Sequence, residues 1–122
     1  MFKVKIVMSF SAAHFLREYK GKCESLHGHN WKVEVIAATP ELNALGMAMD
    51  FNDLKKAARE VLETLDHKNL NDIEYFKKTN PSSENIARYI YLHLKPQTEM
   101  HKCRLHEVGV WETDTSCAVY SE

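Results

Sequence analysis

Two histidines separated by one glycine, in the run His27-Gly28-His29, have a spacing that suggests metal chemistry. In an extended segment, residues i and i+2 point to the same side, about 6.5 Å apart along the chain. Two imidazoles on one side of a strand can therefore bind a single metal ion. The alternative is that both histidines are simply polar residues of a turn.

His14 provides a third imidazole of matching orientation. Apolar residues alternate with polar ones across residues 1–10, which predicts a half-buried strand, and His14 keeps the parity of its apolar side. His27 and His29 likewise share the parity of the apolar Trp31 further along. If the two strands pair, three neutral nitrogens form the ligand set of a catalytic zinc site, with a fourth position open.

Three other places in the sequence carry groups that could do acid–base or binding chemistry. Cys23 precedes His27 in an irregular loop, where its thiolate could act as a base or nucleophile, or could fill the fourth zinc position. Asp66 can orient the imidazole of the adjacent His67, although this pair could also be a helix cap and dipole partner. Glu112 offers two parallel acceptors, which suit the guanidine-like edge of a guanine or pterin, or it is a solvated strand-end residue.

Alternation and capping signals predict the elements that position these groups. Strands are predicted over residues 1–10, 29–39, 105–111 and 115–120, with a turn at 112–114. One helix should begin at Asp50 or Asn52 and continue to about Leu65. A second should begin near Pro81-Ser82-Ser83-Glu84 and end at Pro96.

The resulting order, β-β-α-α-β-β, predicts an α+β fold in which two helices cover one face of a four-stranded antiparallel sheet. Such a sheet leaves its edges and its second face open, and association into an oligomer would close them. A length of 122 residues fits a single domain over residues 1–122.

Composition excludes several classes of protein. The 16 basic and 17 acidic residues give a net charge of -1, which argues against a dedicated nucleic-acid binder. No apolar run approaches the roughly 20 residues of a membrane span, and lysines interrupt the first strand, so we expect neither a membrane segment nor a signal peptide. Three cysteines without a CxxC pattern favour a reducing, cytoplasmic location.

Taken together, six motifs in order along the chain resemble the 6-pyruvoyl-tetrahydropterin synthase / 6-carboxytetrahydropterin synthase family. They are Phe10-Ser11-Ala12-Ala13-His14, Cys23-Glu24-Ser25-Leu26-His27-Gly28-His29-Asn30, Met49-Asp50-Phe51, Leu65-Asp66-His67 with Leu70-Asn71, Pro81-Ser82-Ser83-Glu84-Asn85 and Trp111-Glu112-Thr113. The resemblance implies the tunnelling fold, in which three subunits close a barrel and two barrels stack as a hexamer. It also implies zinc on His14, His27 and His29.

The resemblance further implies how the remaining candidates work. Cys23 would be the proton-abstracting base, assisted by Asp66 and His67 from across a subunit interface. The substrate would be 7,8-dihydroneopterin triphosphate. Glu112 would anchor its pterin ring, helped by the segment around Ser82 and Ser83.

Three residues separate Cys23 from His27, a spacing similar to that of bacterial and archaeal 6-carboxytetrahydropterin synthases. That branch is a zinc-dependent lyase releasing acetaldehyde and triphosphate, and its product feeds 7-deazaguanine and queuosine synthesis. Glu24 resembles a glutamate of members that form 6-hydroxymethyldihydropterin for folate. The alternatives are therefore the 6-pyruvoyl product, a dual function through Glu24, or a non-catalytic, zinc-stabilised oligomeric module.

Overall fold

The computed structural model describes residues 1–122 as one five-stranded sheet with two helices on one face. In chain order the elements are β1 (Phe2–His14), β2 (His27–Thr39), α1 (Phe51–Glu63), β3 (Lys68–Asn69), α2 (Ser83–Met100), β4 (Arg104–Thr113) and β5 (Ser116–Tyr120). Two short 3₁₀ turns, Leu70–Asp72 and Glu74–Phe76, lie between β3 and α2. The predicted α+β class and the order of its main elements are confirmed.

The sheet has the strand order β3-β1-β2-β4-β5. Its centre is the long antiparallel pairing of β1 with β2, which runs from Phe2 opposite Thr39 to His14 opposite His27. The prediction of four strands was short by one, because β3 has only two residues and cannot show an alternating pattern. β3 pairs with β1 in parallel, beside Ala12 and Ala13.

The helices cover the face of the sheet that carries the alternating apolar residues. Trp31, Val33 and Val35 are fully buried in β2 beneath the helices. The predicted helical stripes supply the opposite layer of this core, in the form of Leu54, Ala58, Val61, Leu65, Ile86, Ile90 and Leu94. Each such large side chain stabilises the fold by about 1.5–3 kcal/mol when buried, so this layer fixes the sheet that holds the histidines.

The helix starts agree with the capping signals, but one helix end does not. The Asp50 carboxylate accepts a hydrogen bond from the Asn52 amide at the start of α1, and the Ser82 hydroxyl caps α2. The prediction that α2 ends at Pro96 was wrong, because the helix continues to Met100. Thr98, beyond the proline, is fully buried. The packing of this last part of the helix therefore compensates for the backbone hydrogen bond that Pro96 cannot donate.

Three strand ends lie further out than the apolar pattern predicts. β1 continues four residues past its predicted end to His14, and β2 begins two residues early at His27. β4 extends through Glu112, for which the sequence predicts a turn. In each case the inward position at the strand end holds a polar side chain, so hydrophobic alternation stops before the strand does.

The other face of the sheet is not covered by any element of this chain. It mixes charged and apolar side chains: Lys5 pairs with Glu34 at 3.5 Å, while Val7 and Val119 are 52% and 57% exposed. β1 and β5 lie toward opposite edges of the sheet, and β1 is paired on its outer side only where β3 meets it. Neither helix has the length and apolar character needed to cross a membrane.

Candidate metal centre

The three histidines singled out by their spacing converge at one end of the sheet. His14 and His27 face each other across the β1–β2 pairing, and His29 follows on the same face of β2. Glu112 approaches them from β4. One ligand atom from each of these four residues lies within 4.8 Å of the other three. The structure thus gathers a potential metal site from three adjacent strands.

Backbone carbonyls determine which ring nitrogen of two histidines carries the hydrogen. His14 Nδ1 donates to the Pro81 carbonyl at 2.7 Å, and His27 Nδ1 donates to the Ser25 carbonyl at 2.8 Å. A carbonyl can only accept, so in the neutral rings both Nε2 atoms carry lone pairs. Those two Nε2 atoms are 3.1 Å apart. The outer hydrogen bonds therefore prepare both rings to ligate a metal through Nε2.

The cluster brings several acceptor atoms close together, which is the condition that a bound cation satisfies. Glu112 Oε1 lies 3.3 Å from the Nε2 atoms of both His14 and His29. His29 Nε2 is buried and has no hydrogen-bond partner. Leaving such an atom unpaired costs free energy, and a metal ion would remove that cost. Three imidazoles beside a carboxylate suit zinc and related divalent metal ions.

Burial keeps the third histidine in its metal-binding form. Desolvation lowers the pKa of His29, positive charge on His14 and His27 would lower it further, and Glu112 opposes both effects. A lowered pKa favours neutral imidazole, the state that ligates metals. The fully buried Trp31 contacts His14 and His29 edge-on, with ring centroids 4.9 and 5.1 Å apart, so both rings are held by packing.

A cavity of about 240 Å³ opens beside the cluster. It brings Glu112, Ser82 and Ser83 together, as the resemblance implies for the substrate, and places His14 in its wall. It is lined by His14, Leu16, Ser82, Ser83, Glu84, Glu112, Ser116, Cys117 and Ala118. Sequence reasoning does not identify Glu84 as a site residue, because an acid in the first turn of a helix is already explained by the helix dipole.

Asp66 and His67 form a hydrogen-bonded pair outside the metal cluster. His67 Nδ1 donates to Asp66 Oδ2 at 2.9 Å, and Asp66 Oδ1 accepts from the Ser11 amide at 2.9 Å. The Ser11 amide, followed by His67, holds the pKa of Asp66 below its usual value. His67 has a left-handed backbone and is 81% exposed, so its other nitrogen faces solvent in the single chain.

Cys23 lies exposed in the loop between β1 and β2 and is not part of the ligand cluster. The loop closes where the Glu24 amide donates to the Leu16 carbonyl at 2.9 Å and Glu24 Oε1 accepts from the Leu16 amide at 3.1 Å. Of the two roles left open for Cys23, that of fourth ligand is not seen here. Glu112 is the group that lies with the three imidazoles in this chain.

Comparison with known proteins identifies the family. The family model described as 6-pyruvoyl tetrahydropterin synthase matches residues 3–122. The chain belongs to the 6-pyruvoyl tetrahydropterin synthase family. The structure of the Caenorhabditis elegans 6-pyruvoyl tetrahydropterin synthase superposes with a TM-score of 0.85 at 33% identity, covering 99% of this chain and 95% of that chain. The predicted family and fold are thus confirmed.

Relatives within the family carry two kinds of name. The human 6-pyruvoyl tetrahydrobiopterin synthase is 40% identical over 128 residues, covering 93% of this chain and 86% of its own length. A 6-carboxy-5,6,7,8-tetrahydropterin synthase from Synechocystis is also 40% identical, over 117 residues, covering 92% and 87%. Another from Haemophilus influenzae is 31% identical over the whole of both chains. Membership supports an enzyme acting on pterins, while overall identity does not separate the two products.

Proposed function

We propose that this protein is a zinc-dependent lyase that converts 7,8-dihydroneopterin triphosphate into 6-carboxy-5,6,7,8-tetrahydropterin. Triphosphate and acetaldehyde are released, and one water is consumed when the carbon–carbon bond is cleaved. The product supplies 7-deazaguanine and queuosine synthesis. The observation that carries the proposal is the convergence of three imidazoles, two with Nε2 freed by carbonyl hydrogen bonds, beside a cavity lined by carboxylates and hydroxyls.

In this proposal His14, His27 and His29 hold the zinc ion. A bound zinc ion polarises the side-chain hydroxyl oxygens of the substrate as a Lewis acid. The strands hold the imidazoles in place by backbone pairing, and the buried Trp31 limits the motion of two of them. Glu112 Oε1, 3.3 Å from two of the rings, adds a negative charge that favours a cation at this position.

Proton transfer is assigned to Cys23, Asp66 and His67. Cys23 removes a proton from a side-chain carbon, which requires its thiolate form. Asp66 orients His67 through their 2.9 Å hydrogen bond, and His67 moves protons to or from the leaving portion. Because His67 is 81% exposed, it is free to meet the cavity of a neighbouring subunit.

Pterin recognition is assigned to the cavity wall. Glu112 accepts two N–H groups from the guanidine-like edge of the ring, and Ser82 and Ser83 at the start of α2 support it. Glu84 lies in the same wall and offers a second carboxylate for this edge. Glu112 lies near the histidines as well as in the cavity wall. The variants Glu84→Gln and Glu112→Gln therefore separate binding of the pterin ring from binding of the metal. Loss of substrate affinity with unchanged zinc affinity identifies the carboxylate that binds the ring.

The triphosphate requires cations near the Cys23 loop. Arg17, Lys20 and Lys22 precede Cys23 there. Arg17 Nη1 already donates to the Phe76 carbonyl at 2.7 Å, so part of its guanidinium is engaged within the chain. Lys20 and Lys22 are exposed and are the better placed to meet phosphate oxygens.

The active assembly is proposed to be a hexamer, a dimer of trimers. Two features of the single chain support association: the uncovered face of the sheet and the outward edges of β1 and β5. Unpaired strand edges tend to pair with other strands, and a closed ring of subunits removes them. Mass measurement in solution by light scattering tests the assembly.

Product analysis tests the function directly. Purified, zinc-loaded protein is incubated with dihydroneopterin triphosphate, and the products are identified by mass spectrometry. The proposal expects 6-carboxytetrahydropterin together with acetaldehyde in equal amounts. A pyruvoyl product without acetaldehyde would instead show the 6-pyruvoyl reaction, which the names of several relatives favour.

Two further candidates have specific discriminating tests. A folate-directed cleavage would use Glu24 as a base and would yield 6-hydroxymethyldihydropterin. Glu24→Gln keeps an oxygen acceptor for the Leu16 amide but removes the base, so loss of that product alone identifies the activity. A non-catalytic zinc module would unfold when zinc is chelated and would consume no pterin.

A further inference from the structure

An asparagine side chain replaces strand pairing immediately after β1. Asn71, in the first 3₁₀ turn, is 4% exposed. Its Oδ1 accepts from the Phe15 amide at 2.9 Å, and its Nδ2 donates to the Phe15 carbonyl at 2.9 Å. This two-point contact fixes the backbone of the residue next to His14.

A second asparagine, Asn80, makes the same two-point contact with Arg17, two residues after Phe15. Asn80 Oδ1 accepts from the Arg17 amide at 2.8 Å, and its Nδ2 donates to the Arg17 carbonyl at 3.1 Å. The Asn80 backbone carbonyl in turn accepts from Asn85 Nδ2 at 2.9 Å. Together, two side-chain amides attach the chain beyond β1 to the segment that leads into α2.

That segment contains the carbonyl that orients His14. Pro81 follows Asn80 directly and accepts from His14 Nδ1 at 2.7 Å. Proline has no N–H, so it cannot fix its own position through a backbone donor. The 2.7 Å contact therefore depends on two held points: Phe15 on the histidine side and Asn80 on the carbonyl side.

We propose that Asn71 and Asn80 are positioning residues of the metal centre. They hold the Pro81 carbonyl against His14 Nδ1, which keeps the hydrogen on Nδ1 and the Nε2 lone pair directed into the cluster. The inference rests on the metal role proposed for His14. It predicts that these amides contribute to metal affinity as well as to folding. Losing the hydrogen-bond partner of a ligating histidine typically lowers affinity by about 10- to 100-fold, and these amides hold that partner, the Pro81 carbonyl, in place.

Asn80→Ala tests this, with Asn43→Ala as the matched control. Asn43 Oδ1 also accepts two backbone amides, from Leu45 at 2.9 Å and Met47 at 3.1 Å, but it lies in the connection between β2 and α1. Zinc affinity is measured by chelator competition, and unfolding of the metal-free proteins by denaturant. Asn80→Ala should weaken zinc binding by about 10- to 100-fold, and Asn43→Ala should not change it.

Nitrogen-15 NMR of the histidines in the metal-free protein gives an independent signature. Native protein and Asn43→Ala should show His14 with its hydrogen on Nδ1, whereas Asn80→Ala should show a mixture of the two tautomers. If the alanine variant does not fold, Asn80→Asp keeps the acceptor for the Arg17 amide and should give a smaller loss of affinity.

The outcomes separate this inference from the proposed function. Native zinc affinity and a native His14 tautomer in a folded Asn80 variant would overturn the positioning role while leaving the metal centre intact. If native protein bound no zinc at all, the metal centre itself would be refuted and the positioning role with it.

Discussion

The two histidine-containing sites of this chain differ in how complete they are. The cluster around His14 is closed within one chain: that residue is 2% exposed, and carbonyls determine its ring orientation and that of His27. The Asp66–His67 pair is oriented by a 2.9 Å hydrogen bond, but His67 is 81% exposed and lies outside the ligand cluster. The first group places three imidazoles and a carboxylate together within one chain, an arrangement that suits a metal ion, whereas the second presents its imidazole to solvent.

Removing a ligand from the closed site should have the largest effect. His27→Ala or His29→Ala deletes one of three nitrogen donors, so zinc affinity should fall by more than the roughly 100-fold typical of losing an outer partner. Metal content after dialysis and chelator competition measure this. His101→Ala, at the end of α2, is the control and should bind zinc normally. Native zinc affinity in either variant would contradict the assignment of that histidine as a metal ligand.

Replacing the thiol should separate catalysis from metal binding. Cys23→Ala should keep native zinc content and lose turnover by about 10²- to 10⁴-fold, the range typical of a lost general base. Cys103→Ala, which removes a cysteine that does not line the cavity, serves as the control. Full turnover in Cys23→Ala would exclude this residue as the base.

Assemblies that contain two different variants should reveal whether the Asp66–His67 pair acts on the site of a neighbouring subunit. Cys23→Ala and His67→Ala are each expected to have little activity alone, but assemblies formed by co-expressing both would contain some sites with an intact thiol and an intact imidazole. Turnover should therefore reappear in the mixture. A mixture as inactive as its components would place both groups in the same subunit or remove one of them from the reaction.

The smallest expected effect concerns stability in acid. The Ser11 amide and His67 hold the pKa of the Asp66 carboxyl below its usual value of 3.8. A lowered folded-state pKa adds stability above the unfolded pKa, and this stability is lost as pH falls through the folded pKa. The difference in unfolding free energy between native protein and Asp66→Asn should therefore narrow below about pH 3.8. Asp114→Asn, in the β4–β5 turn, is the matched control for the charge change.

Strand parity in the amino-acid sequence is enough to predict much of the closed site. Alternation places His14, His27 and His29 on the inward face, and the folded chain brings them together. The position of Glu112 against them is not predictable in this way, because it depends on the pairing of β2 with β4 and on β4 continuing past its apolar residues. A hydrophobic pattern cannot show that a strand continues past its last apolar inward residue to a carboxylate.

The side-chain contacts that hold the Pro81 carbonyl near His14 also cannot be predicted from the sequence pattern, for a different reason. Asn71 and Asn80 join segments more than fifty residues apart in the chain, as their partners Phe15 and Arg17 show. Asparagine between helices is also a common turn residue, so residue type alone does not identify these contacts. The two-residue strand β3 could not be predicted for the same reason, because it is defined only by its pairing with the distant residues Ala12 and Ala13 of β1.

The central claim is that three imidazoles hold the metal while the thiol stays outside its coordination sphere. X-ray absorption at the zinc edge of metal-loaded native protein and of Cys23→Ala tests it most directly. The account predicts the same spectrum for both proteins, with nitrogen neighbours at about 2.0–2.1 Å and no sulfur. A sulfur neighbour at about 2.3 Å that disappears in Cys23→Ala would contradict it.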